Sequence, residues 1–339
     1  MILGDAAKRA YKSVKSNHIW RTIASLREIT VILIIITVSL MLTVLSPHFL
    51  TKDNLMSTAI GLAADGMITV GMTIALVSGG LDLSVGSVMA LTGVAAGALY
   101  LGGMNIWLAC AVALAIGMLC GLVNGFFIGR VGLNPFITTL AVSGMARGAS
   151  YVLTQGSPIS LFGVPESFAF IGQGKVLGLP FIVVVFIIIA VVGDFLMRRS
   201  ESLRKVFYTG SNEKAAILSG INTSKIKIGV YLLVATLTSM AGILSMARFT
   251  VATPTAGVGA DMRSISAAVI GGASFSGGEG TISGAVLGII LLNLINNGLI
   301  LLNVPVYWQE LVNGVILITA VTLDYVSHQN RVQKLKAKA

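Results

Sequence analysis

Between apolar runs of the chain lies the stretch SGGLDLSVGS, Ser78–Ser87, and its Asp82 is the residue type most able to do chemistry there. A carboxylate among glycines and serines can hold a cation or a proton, or it can close the amino end of a helix, where negative charge is favoured. Gly79 and Gly80 suit a left-handed helix stop before it, and Ser84 and Gly86 follow it, so the group also reads as a structural turn. Asp65 and Arg147 are two more charges inside otherwise apolar segments, of opposite sign and thus able to pair. Asn293, Asn296 and Asn297, spaced three and four apart, put amides on roughly one helical face. Amides donate and accept hydrogen bonds without charge, so they can join helices or line a polar route. Asn124 offers the same group.

Catalytic motifs are missing. The sequence contains no HExxH, no GxSxG and no GxxxxGK[ST], and GQGKVLG at Gly172–Gly178 lacks both the first glycine and the hydroxyl residue after Lys175. His18, His48 and His328 are scattered, Cys110 and Cys120 lie ten residues apart in one expected helix, and no metal-ligand spacing occurs. No cofactor is expected.

The elements that must position these residues belong to a membrane. Hydrophobic residues make up 55% of the 339 residues and charged residues 11%, and the mean hydropathy is +0.91. So few charges cannot cover a water-soluble globule of this size. The uncharged runs lack the alternation of barrel strands, which leaves an all-α polytopic helical bundle. Ten spans are expected, near 29–46, 55–78, 83–102, 105–129, 134–154, 178–197, 227–247, 264–278, 281–302 and 306–325. Only about 15 uncharged residues separate Arg263 from Glu279, so the eighth either spans or re-enters as a half-helix.

Basic residues orient the bundle. Six Lys or Arg precede the first span, seven lie between spans six and seven, Arg130 follows span four, and four more form the tail, against five elsewhere. Positive loops stay inside, so both termini are expected in the cytoplasm. The organisation expected is a basic segment 1–28, a transmembrane domain 29–325 with a cytoplasmic loop 198–226, and a basic tail 326–339. The net charge of +10 follows from these loops and termini and calls for no nucleic acid. The first apolar segment reads as an uncleaved anchor.

Two glycine series, Gly117, Gly121, Gly125 and Gly129, then Gly280, Gly284 and Gly288, recur every four residues and read as seams for close helix packing. Pro135 fits the first turn of span five, and Tyr307 and Trp308 fit an interfacial aromatic belt. In the large loop, GSNEKAAILSGI (Gly210–Ile221) predicts a helix of about two turns. Ser211 or Asn212 caps it, Glu213 sits in its first turn, and Gly220 stops it. Its small Ala215 and Ala216 and apolar Ile217 and Leu218 suit docking into a partner's groove, or a helix lying on the membrane surface.

GGLDLSVGS, NPFITTL at Asn134–Leu140, GSNEKAAILSGI, AAVIGGASFSGGEGT at Ala267–Thr281, NNGL at Asn296–Leu299 and YWQ at Tyr307–Gln309 occur in this order. With them the chain resembles, over about residues 30–325, the permease subunits of bacterial ATP-binding cassette importers for monosaccharides. The resemblance implies an inner-membrane protein without its own ATPase site. It also implies three partners: a cytosolic ATPase with tandem domains, an extracytoplasmic sugar-binding protein and a second permease copy or paralogue.

The 210–220 helix then resembles the coupling helix, formed by Gly210, Ser211, Asn212, Glu213, Lys214, Ala215, Ala216, Ser219 and Gly220. Lys214 stands where the family pattern has glutamate, with Glu213 one place earlier. Asn293, Asn296, Asn297, Asp65, Arg147 and Gln309 are the candidates for the sugar route. The implied substrate is a pentose or hexose, with a cyclic polyol or sugar-derived signal as the alternative. As rival classes, an ion-coupled transporter would have to work with Asp65, Asp82 and Arg147, and a passive channel would need no coupling site.

Overall fold

The computed structural model describes residues 28–305 and 307–336, so the basic amino-terminal segment, apart from Glu28, and the last tail residues lie outside the described residues. Helices occur at all ten expected places: α1 (Glu28–Leu45), then α2 (Lys52–Val77), α3 (Val85–Leu101), α4 (Ile106–Phe126) and α5 (Pro135–Thr154). After a short segment with β1 (Ile159–Ser160), α6 (Glu166–Gln173), β2 (Lys175–Val176) and β3 (Leu179–Pro180) come α7 (Phe181–Arg199), α8 (Glu201–Ser211) and α9 (Glu213–Leu218). The chain continues through α10 (Thr223–Phe249), β4 (Val251–Ala252), α11 (Ala260–Ile270), α12 (Ile282–Leu301) and α13 (Tyr307–Lys336). Among the described residues, seven helices are long and apolar enough to cross a membrane.

Local sequence sets the helix starts. Asn105, Asn134, Asn212 and Asn222 each accept a hydrogen bond from a backbone N–H in the first turn they precede, at 2.9–3.0 Å. Pro135 occupies the first turn of α5, where its missing N–H costs nothing. A π-helical turn, Phe127–Val131, extends α4 before Gly132 ends it in the left-handed conformation at φ 84°.

Helix α10 runs through the bundle against α4, α3 and α2, which places the core among these four. The first glycine series is the α4–α10 seam. A Cβ on Gly125 would come within 2.7 Å of Ile228 Cα, and one on Gly121 within 2.5 Å of Ala235 Cβ. Gly284 and Gly288 seat α12 against Gly271 and Ala267 of α11. Gly280 departs from the expected helical seam, because it precedes the helix with φ 153° and packs on Val77 and Ala273.

The eighth expected span is a half-helix. At 11 residues α11 is about 16 Å long, too short to cross the roughly 30 Å hydrocarbon core. Irregular backbone, Thr253–Gly259, precedes it where the rest of a span would lie.

Candidate functional site

Two glycine turns and a helix junction meet at one end of the bundle. The first ends α2: the N–H of Gly79 donates to Leu76 O at 2.9 Å and that of Gly80 to Ala75 O at 3.0 Å. Gly79 has φ 82°, as this helix stop requires. The second ends α11 in the same way, with Gly272 donating to Val269 O at 3.0 Å, Ala273 to Ala268 O at 2.9 Å, and Gly272 at φ 103°. The third is the junction of α8 with α9, where a Cβ on Gly79 would lie 3.5 Å from Gly210 Cα and one on Gly278 would lie 2.8 Å from Ser211 Cα. Gly278 also donates to Val77 O at 2.9 Å.

Asp82 lies buried behind the first turn. Its Oδ1 accepts from the Ser84 N–H at 2.8 Å and the Ser84 hydroxyl at 2.5 Å. Ser84, not Asp82, holds the cap position of α3, and Asn124 of α4 donates to the Ser84 hydroxyl at 3.0 Å. Gly80 packs on the Tyr231 hydroxyl, which donates to Leu81 O at 3.2 Å. Gly86 packs on Gly257 O.

Beside these turns α9 stands on the surface. Asn212 caps it, Gly220 stops it at φ 79°, and Glu213 pairs with Lys227 of α10 at 2.6 Å. Ala216 is only 3% exposed, whereas Leu218 is 89% and Ile217 55% exposed. The apolar face offered outward is thus Ile217 and Leu218, and Ala216 seats the helix on its own bundle. A cavity of about 640 Å³ beside α9 is lined by residues including Gly79, Gly210, Lys214 and Lys227.

The candidate route residues divide. Asp65 pairs with Arg263 of α11, Nε–Oδ2 2.8 Å and Nη2–Oδ1 3.3 Å, and not with Arg147. The separation of 198 positions along the chain hid this partner. Arg147 instead donates to the carbonyls of Pro254 and, at 2.9 Å, of Ala256. Asn297 exchanges amide bonds with Asn54 of α2, at 2.8 and 3.2 Å. A Cβ on Gly61 of α2 would lie 3.8 Å from Asn293 Oδ1, so Asn293 too turns toward α2. Asn296 Oδ1 is buried without a hydrogen-bond partner in the structure. Gln309 lies half-buried in the first turn of α13, beside exposed Tyr307 and Trp308.

Sequence reasoning missed two pieces. Helix α8 was readable from Leu203, Val206 and Phe207 at helical spacing behind Glu201. The irregular segment before α11 was announced by TPTAGVG, Thr253–Gly259, whose proline and glycines break a helix.

A bundle of this kind, with polar side chains buried among its helices and an exposed apolar helix at one end, defines a polytopic membrane permease. The chain belongs to the family of branched-chain amino acid transport system permease components, whose model matches residues 54–321. It is 39% identical over 283 residues to the ribose import permease protein of Escherichia coli K12, covering 83% of this chain and 88% of that protein. The ribose import permease protein of Bacillus subtilis strain 168 is 34% identical over 285 residues, with 84% and 88% covered. The L-arabinose ABC transporter permease protein of Azospirillum brasilense is 34% identical over 308 residues, with 91% and 90% covered. No solved structure matches the chain.

Proposed function

We propose that the chain is the membrane-spanning permease subunit of an ATP-binding cassette importer that carries a monosaccharide, a pentose or hexose, across the bacterial inner membrane. The observation that carries this reading is α9: a capped, rigidly seated helix whose Ile217 and Leu218 project from the loop richest in basic residues. Relatives that are themselves ribose and arabinose permeases support the substrate class. The chain hydrolyses nothing itself; a cytosolic ATP-binding subunit with two ATPase domains docks on α9, an extracytoplasmic binding protein delivers the sugar, and a second permease copy or paralogue completes the pair. Both termini face the cytoplasm, with the 198–226 loop.

Leu218→Asp tests the docking. A charge at the centre of a small apolar contact is expected to abolish copurification of the ATPase and to lower ATP-dependent uptake at least tenfold, with the permease still in the membrane. Unchanged copurification and uptake would refute the assignment. Ala216→Asp is the wrong probe, since Ala216 is buried against its own bundle and its loss would report folding.

A further inference from the structure

The segment Val251–Gly259 is placed where irregular backbone is costly. Its Ala252 Cβ lies 3.0 Å from where a Cβ on Gly97 would stand, and a Cβ on Gly257 would lie 3.0 Å from Gly86 Cα. The segment therefore descends along α3 from Gly97 to Gly86, eleven residues or about 16 Å of helix. That is membrane depth, since α3 ends at Leu101. Non-helical backbone is tolerated there only when buried in protein or facing water, and Thr255 and Val258 are exposed.

Beside the segment lies a cavity of about 520 Å³, within the roughly 300–1,000 Å³ range of small-molecule sites. The segment itself forms one wall. Met89, Ala90 and Gly93 of α3, with Ser245 and Phe249 of α10, form the others. The tight α3–α10 crossing, where Gly242 packs on Met89 O and a Cβ on Gly93 would lie 3.3 Å from Gly242 O, borders the cavity. Arg147 fixes the irregular wall by donating to the Pro254 and Ala256 carbonyls, an interaction that also settles a cation at membrane depth.

We propose that this cavity is a water-filled station on the solute route within the chain, and that it admits a neutral polyhydroxylated solute. The reading rests on the permease function proposed above. Two features set the class. No described residue lining the cavity is charged, so nothing there meets the ammonium or carboxylate of an amino acid. Ser245 and Thr253 offer hydroxyls, while Met89 and Phe249 offer apolar surface for C–H faces.

The test uses the complete transporter, with its ATPase and binding protein, in membrane vesicles. Ser245→Cys is introduced in a C110A/C120S background and treated with a charged, membrane-impermeant methanethiosulfonate. Leu177→Cys at the exposed tip of the β2–β3 hairpin is the positive control and Val191→Cys on the outer face of α7 the lipid-facing control. Where the background lowers uptake, labelling is read against the parent chain with its two cysteines.

Labelling of Ser245→Cys and Leu177→Cys but not Val191→Cys is expected, with uptake falling at least tenfold. D-ribose or L-arabinose is expected to slow the Ser245→Cys reaction at least threefold during turnover, and L-leucine to leave it unchanged. Resistance of Ser245→Cys while Leu177→Cys reacts, labelling without effect on uptake, or absence of sugar protection would each overturn the station. Protection by L-leucine would overturn its neutral class. Failure of the permease reading shows separately, as absence of ATP-dependent uptake by the unmodified chain.

Discussion

The Asp65–Arg263 pair is the least exposed ion pair among the described residues, and its removal has a calculable consequence. The side chains are 16% and 20% exposed and the pair is bidentate. Unit charges about 4 Å apart attract by about 4 kcal/mol at an effective dielectric constant of about 20. Desolvation offsets part of this in the intact pair, but removing one partner leaves the other charge uncompensated, which costs about 3–5 kcal/mol.

The two single variants should differ. Arg263→Gln strands Asp65 and also cuts the 3.1 Å bond to Val258 O, whereas after Asp65→Asn the arginine keeps that carbonyl and the nearby charges of Asp261 and Glu310. The expected order of damage is therefore Arg263→Gln above Asp65→Asn, with the double variant well below their sum. Thermal unfolding of detergent-solubilised protein, followed by size-exclusion chromatography, reads the effect. At about 2–4 °C per kcal/mol, the loss of about 3–5 kcal/mol in Arg263→Gln is expected to lower the midpoint by about 6–20 °C. Additive single and double variants, or an inverted order, would refute the reasoning.

Gly125→Leu is expected to abolish recovery of folded protein, because its Cβ meets the backbone of Ile228, whereas Gly144→Ala, with nothing within 4 Å, should leave the yield unchanged; fluorescence-detected chromatography compares the two. Asn54→Ala and Asn297→Ala are each expected to cost about 1–2 kcal/mol by leaving a partner amide unpaired, and the double variant to cost less than the two summed; the same thermal assay checks it.

What was legible in the sequence follows from which physics is local. Helix limits were readable because caps and stops act within a few residues: Asn134 with Pro135, Asn212 with Gly220, and Gly79 with Gly80 all sit where their chemistry demands. The Gly117–Gly129 series was readable because small residues every four places have one efficient use in a bilayer. Partners were not readable. Asp65 meets a residue 198 positions away and Arg147 meets carbonyls more than 100 positions away, and charge alone ranks neither choice. The asparagines left two uses open for a related reason: their spacing gives one face, but whether that face meets a route or α2 depends on where α12 sits. Ala216 misled because a small residue suits a buried seat as well as an exposed contact.

The stretches SGGLDL, Ser78–Leu83, and GGASFS, Gly271–Ser276, share a geometry, since both turns close their helices with the same pair of backbone bonds. Gly210 of α8 wedges against Val77 O, Gly277 packs within 2.9 Å of Gly79 Cα as a would-be Cβ, and Gly278 leans on Ser211. At these contacts there are no long side chains to absorb a shift; backbone bears on backbone. A displacement of the α8–α9 junction is therefore expected to bear on both turns, one leading into α3 and the other ending α11. Those two helices are the ones between which the non-helical segment Val251–Gly259 is held, with Gly257 seated on Gly86 of α3 and Gly259 leading into α11. On the docking proposed for α9, force entering there would reach the wall of the cavity through Gly257 and Gly259, where the segment meets α3 and α11.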